Sequence, residues 1–136
     1  MNIYIDTSAF LAILDPSDHR NARAIQTWQD LIDSNDWLVT SSYVMIESIS
    51  ILHNRFSTPV VQRFLSEIVP IVEVDWADVG DHTVAVGALL SRPGKGGPSL
   101  VDCMSFETIR KRKLQDVFVY DRHFEDLGFN LIGQVT

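Results

Sequence analysis

Four carboxylates in this sequence stand where a carboxylate is costly unless solvent, a hydrogen bond or a cation receives it. Asp6 directly follows the short β-type run Asn2 to Ile5, and Asp121 follows the apolar run Val117 to Tyr120. Glu47 interrupts the otherwise apolar stretch Tyr43-Val44-Met45-Ile46-Glu47-Ser48-Ile49, and Asp102 closes Ser99-Leu100-Val101-Asp102. Each has an ordinary alternative. An aspartate after a strand also serves as a helix N-cap or turn residue. A glutamate in a helix can face solvent, and Ser99 with Asp102 matches a capping box. Taken singly, these alternatives stay open. Gathered in one pocket, the four would repel one another, and their pKa values would rise unless cations neutralised them. Oxygen-only donors of that kind suit Mg²⁺ or Mn²⁺ rather than zinc. No His or Cys pair here has zinc-site spacing.

The elements that must position them alternate along the chain. Asn2 to Ile5 reads as a first strand, followed by a helix from about Ser8 to Leu14 and a turn at Asp15-Pro16-Ser17-Asp18. The next helix carries Ile25, Trp28 and Ile32 on one face, and Trp37 to Thr40 favours β structure. Ser42 to about Asn54 has helical spacing at Val44, Ile51 and Leu52. Thr58-Pro59 offers an N-cap and an N1 proline, Pro70 interrupts, and Ile71 to Val74 reads as a third strand. Val79 to about Leu90 is helical, and Arg92 to Pro98 must be a loop. Ser99 caps a further helix, Val117 to Tyr120 is a strand, and Gly128 ends a short helix before a last strand near Asn130 to Ile132. Short continuous strands interleaved with helices predict an α/β fold, a mostly parallel sheet covered on both faces. Such sheets place their sites at the carboxyl ends of strands, where Asp6 and Asp121 stand.

With 136 residues, 46% of them hydrophobic, the chain reads as one domain over 1–136. Cys103 is the single cysteine, so no disulfide framework is expected. The start lacks the basic region of a signal peptide, and the longest apolar run, Ala9 to Leu14, is far short of a membrane span. A soluble cytoplasmic protein is expected. The net charge of −7 disfavours loose, charge-driven binding to nucleic acid. Clustered basic residues occur at Arg110-Lys111-Arg112-Lys113, either a solvated helix C-terminus or a phosphate contact. Phosphatases with an aspartyl nucleophile need Asp-x-Asp, and position 8 is Ser. Gly94-Lys95-Gly96-Gly97 lacks the spacing of a P-loop and reads as a flexible loop able to reach a phosphate.

Tyr4-Ile5-Asp6-Thr7-Ser8-Ala9-Phe10 resembles the opening signature of PIN domains. Thr40 to Glu47, Ser99 to Phe106 and Tyr120 to Phe129 resemble the second, third and fourth blocks of that family, in the family's order. The compact size is similar to that of the VapC-type ribonucleases of toxin–antitoxin pairs. The resemblance implies a PIN fold in which Asp6, Glu47, Asp102 and Asp121 hold Mg²⁺ (or Mn²⁺) and Ser8 supports them. It implies hydrolysis of RNA, a cognate antitoxin as partner and a homodimer. A non-catalytic PIN-fold binding module and a stand-alone housekeeping nuclease are the alternatives. Many relatives carry Thr or Ser at the position of Val119, and some carry an acid at that of His123, which is read here as a surface or packing residue. An antitoxin helix is expected in an apolar groove, with Ile13, Leu14 and the Trp37 region as candidates, sending an arginine into the acidic pocket.

Overall fold

The computed structural model describes residues 1–134. Five strands, β1 (Asn2–Ile5), β2 (Trp37–Ser41), β3 (Glu73–Asp75), β4 (Asp116–Phe118) and β5 (Asn130–Ile132), form one sheet in the order β3-β2-β1-β4-β5. Every neighbouring pair is parallel. Six helices connect them: α1 (Thr7–Leu14), α2 (Asn21–Asp33), α3 (Ser42–Arg55), α4 (Thr58–Arg63), α5 (Val79–Leu90) and α6 (Leu100–Arg112).

Successive strand side chains point to opposite faces, yet Ile3, Tyr4 and Ile5 are all fully buried, as are Val117 and Phe118. Both faces of the central strands are therefore covered, which is what their unbroken apolar runs require. The order has a consequence for the site. From β1 the chain moves outward through β2 to β3, then crosses back to place β4 and β5 on the other side of β1. The reversal between β1 and β4 opens a crevice at the carboxyl ends of those two strands. Asp6 leaves β1 at that crevice, and Asp121 lies just past the end of β4.

Several boundaries differ from the expectation. The third strand is Glu73–Asp75 rather than Ile71 to Val74, because Pro70 sits in a tight turn, Val69–Ile71, that delays the extended chain. The cap of α4 is Ser57, one residue before Thr58. In α2 the buried face is Ala24, Thr27, Trp28 and Leu31, while Ile25 and Ile32 are exposed, so only Trp28 of the expected stripe packs inward. Before Gly128 the chain makes only a 3₁₀ turn, Arg122–Phe124. Among the described residues, no helix is long and apolar enough to cross a membrane.

Candidate active site

All four carboxylates line one cleft of about 320 Å³ at the crevice between β1 and β4. Three of them are also caps. Asp6 caps α1: one carboxylate oxygen accepts from the Ser8 N–H at 3.0 Å and the Ser8 hydroxyl at 2.6 Å. Asp102 and Ser99 form a reciprocal capping box at the start of α6, Asp102 accepting from the Ser99 N–H at 3.0 Å and donating its own N–H to the Ser99 hydroxyl at 3.1 Å. Asp121 caps the turn after β4, accepting from the His123 N–H at 2.9 Å. The capping alternatives and the ligand reading thus hold together. Each cap bond fixes the carboxylate while unpaired N–H groups of a helix end favour its charge. Glu47, half-buried on α3, completes the set from the opposite wall.

The surrounding bonds are anchored in the core. Ser8 also accepts from the Tyr120 N–H at 2.9 Å, tying the start of α1 to the end of β4. Val119 carries no hydroxyl that could support Asp121. Asp6 N–H donates to the Phe118 carbonyl at 3.1 Å, extending the parallel ladder to the ligand itself. The Thr40 hydroxyl donates to the Ile5 carbonyl at 2.7 Å, and the Tyr4 hydroxyl to Ser105 at 2.7 Å, pinning β1 to β2 and to α6.

Burial and mutual repulsion show in the titration. The Asp6 carboxyl is pushed up to about 7, first by burial and then by the charges of Asp102 and Asp121, against the lowering effect of Ser8. Glu47 and Asp102 are raised for the same leading reason, burial, with Asp121 adding to both and Asp102 adding to Glu47. Carboxylates held at such cost fit a site whose charge is completed by a cation.

The structure adds residues that the sequence reading left elsewhere. His123 is not a surface residue: its ring Nδ1 lies 2.9 Å from Asp121 Oδ1 and 3.5 Å from Asp102 Oδ2. Asp102, Asp121 and His123 have ligand atoms all within 4.8 Å of one another. The signal available was the Asp-x-His spacing across one tight turn. Gly97 of the expected loop borders the cleft, so Lys95 stands two residues from it. Thr7, 5% exposed, lines the same cleft, where its hydroxyl lies against Glu47 and favours the charge of that carboxylate.

The basic run falls the other way. Arg110 pairs with Glu107, Lys111 with Asp75 and Asp81, and Arg112 with Glu73 and Asp75. Arg112 lines a hollow with Asn2 and Trp37, at the amino ends of β1 and β2. The run sits at the far end of α6 from Asp102, about 15 Å along the helix axis.

A match to the PIN domain family covers residues 3–130. The chain belongs to the PIN domain family. This PIN chain is 27% identical over 131 residues to the 23S rRNA-specific endonuclease VapC20 of Mycobacterium tuberculosis, covering 93% of this chain and 95% of that protein. The crystal structure of VapC20, described as a Sarcin-Ricin loop cleaving toxin, has a TM-score of 0.79 at 25% identity, over 93% of this chain and 95% of the other. The PIN fold is also shared with VapBC2 from Rickettsia felis, solved with a DNA fragment from its promoter (TM-score 0.69, 13% identity, 96% and 97% of the two chains).

Proposed function

We propose that this chain is a metal-dependent endoribonuclease that hydrolyses RNA phosphodiester bonds and acts as the toxin of a toxin–antitoxin pair. The observation that carries the reading is the convergence of Asp6, Glu47, Asp102 and Asp121 on one cleft at the switch between β1 and β4. The similarity to VapC20 supports RNA as the substrate class. The four acids would hold Mg²⁺ or Mn²⁺, which would supply Lewis acidity at a phosphoryl oxygen and a more nucleophilic water.

The protein's own contribution is positioning. Ser8 locks one Asp6 oxygen and leaves the other for the cleft. The Ser99 cap fixes Asp102, and the turn Arg122–Phe124 fixes Asp121. The Thr7 hydroxyl lies against Glu47 and favours the charge of that carboxylate. Gly97 lets the loop backbone border the cleft at a φ of 76°, a conformation that favours glycine. Lys95 on that loop supplies a cation for an adjacent phosphate.

The protein works in the cytoplasm, as a dimer and under an antitoxin. For the dimer, α5 and the residues before it supply exposed apolar side chains: Val79 and Leu90 share one helix face, Val84 lies on another, and Trp76 precedes the helix. For the antitoxin, Ile13 and Leu14 line a hollow of about 260 Å³ with Ile25 and Trp28, which suits the apolar face of a helix. Leu14 is buried at its floor, and Ile25 supplies the exposed wall. Trp37 is exposed but lies at the amino edge of the sheet, away from this hollow and from the acids. An antitoxin arginine entering the acidic cleft would pair with its carboxylates. The reading is tested by RNA cleavage with Mg²⁺ or Mn²⁺, with and without EDTA. A PIN-fold binding module would bind RNA and leave it intact under every condition.

A further inference from the structure

We infer that His123 is a metal ligand, and that its imidazole makes this site prefer Mn²⁺ over Mg²⁺. The inference rests on the metal-dependent reading above and concerns which ion the cleft is built to take.

His123 Nδ1 is buried and has no hydrogen-bond partner. It nevertheless lies 2.9 Å from Asp121 Oδ1 and 3.5 Å from Asp102 Oδ2, aligned for a hydrogen bond with neither. Asp121 Oδ1 already accepts the His123 backbone N–H, and Asp102 Oδ2 the Ser99 N–H. A ring nitrogen brought this close to two carboxylate oxygens, off line for a hydrogen bond to either, is placed as a donor to a cation that all three share. The spacing fits one. Donors about 2.1 Å from a common ion stand roughly 3.0 Å apart across an octahedral edge and about 3.4 Å apart across a tetrahedral one.

The donor chemistry decides the ion. Mg²⁺ is hard and takes oxygen almost exclusively, whereas Mn²⁺, though the weakest of the first-row transition ions and itself at home among carboxylates, accepts a ring nitrogen more readily than Mg²⁺ does. Two carboxylates and one imidazole make a mixed set that the four acids alone would not. The turn Arg122–Phe124 enforces it, because the Asp121 cap bond to the His123 N–H turns both side chains to the same side.

The test uses the full chain with Mn²⁺ and Mg²⁺ as probes. Pulsed electron paramagnetic resonance of bound Mn²⁺ should show hyperfine coupling to a ligand nitrogen in the wild type, absent in His123→Asp and His123→Ala. Calorimetry should show Mn²⁺ bound at least about tenfold more tightly than Mg²⁺, with His123→Asp cutting that ratio roughly tenfold while circular dichroism stays unchanged. Bound Mn²⁺ without nitrogen coupling, or a ratio unchanged in His123→Asp, overturns the inference and leaves a metal-dependent nuclease held by acids alone. If Mn²⁺ and Mg²⁺ both fail to bind the wild type, the inference falls together with the metal-dependent reading.

Discussion

Asp6 accepts two hydrogen bonds from Ser8 on one oxygen while its carboxyl is pushed up to about 7 by burial and by its acidic neighbours. The sign of the resulting pH dependence follows. Below the unfolded value of 3.8 both states carry the proton and no penalty arises. As pH rises from there to about 7, the unfolded chain releases its proton first, and the metal-free fold loses stability. The loss is complete above that window and on the order of 4 kcal/mol. Metal-free wild type should therefore melt at a lower temperature at about pH 8 than at about pH 5, and Asp6→Asn should remove much of that difference, as thermal melts in EDTA will read. In the presence of metal the order inverts, because Asp6→Asn gives up the cation that stabilises the wild type. Ser8→Ala leaves the Tyr120 N–H without its acceptor and removes the shorter of the two Ser8 bonds to Asp6, the backbone N–H bond remaining. It should cost about 1–3 kcal/mol in a denaturant titration, since partners left unsatisfied carry their full desolvation penalty.

At the scale of elements, the loop Arg92 to Pro98 and the end of α6 make opposite predictions. Lys95 is two residues from Gly97, which borders the cleft, so Lys95→Gln should weaken RNA binding evenly across sequences and lower the salt slope by about one. The basic run Arg110 to Lys113 is largely engaged with carboxylates on α6, β3 and α5 and faces the other edge of the sheet. Arg112→Gln should leave RNA affinity unchanged and cost about 0.5–1 kcal/mol of stability, the range of a largely exposed ion pair. Sequence alone could not separate these two basic elements, because the partners of the run, Glu73, Asp75 and Asp81, lie far from it in the chain and only β3 and α5 bring them near. The strands and the four acids were legible. Ile3 to Ile5 and Val117 to Val119 read as apolar runs because both sheet faces are covered, and the acids stand out where those runs end. His123 was not legible as a site residue, since nothing in a single histidine shows which way a tight turn will aim it. The stripe in α2 misled for a related reason: Ile25 and Ile32 share a helical face with Trp28, but the helix is rotated so that Ala24 and Leu31 are buried with Trp28 and the two isoleucines are exposed.

For the whole molecule, the exposed apolar side chains of α5 predict association. Val84→Asp should shift the sedimentation profile from dimer to monomer without altering the circular dichroism spectrum, because an exposed side chain is changed. Co-expression with a cognate antitoxin should relieve growth arrest, and Ile25→Glu in the hollow beside Trp28 should abolish that relief while leaving toxicity intact. The central claim, that a carboxylate cluster at the β1–β4 switch hydrolyses RNA with a divalent ion, has a more direct test. Purified protein is mixed with a structured RNA and Mn²⁺ or Mg²⁺, beside Asp102→Asn and an EDTA control. The account predicts internal cleavage by the wild type that EDTA abolishes and that Asp102→Asn reduces by more than the roughly 10–100-fold that loss of a supporting partner costs. Cleavage that persists at the wild-type rate in EDTA, or in a folded Asp102→Asn protein, would contradict it.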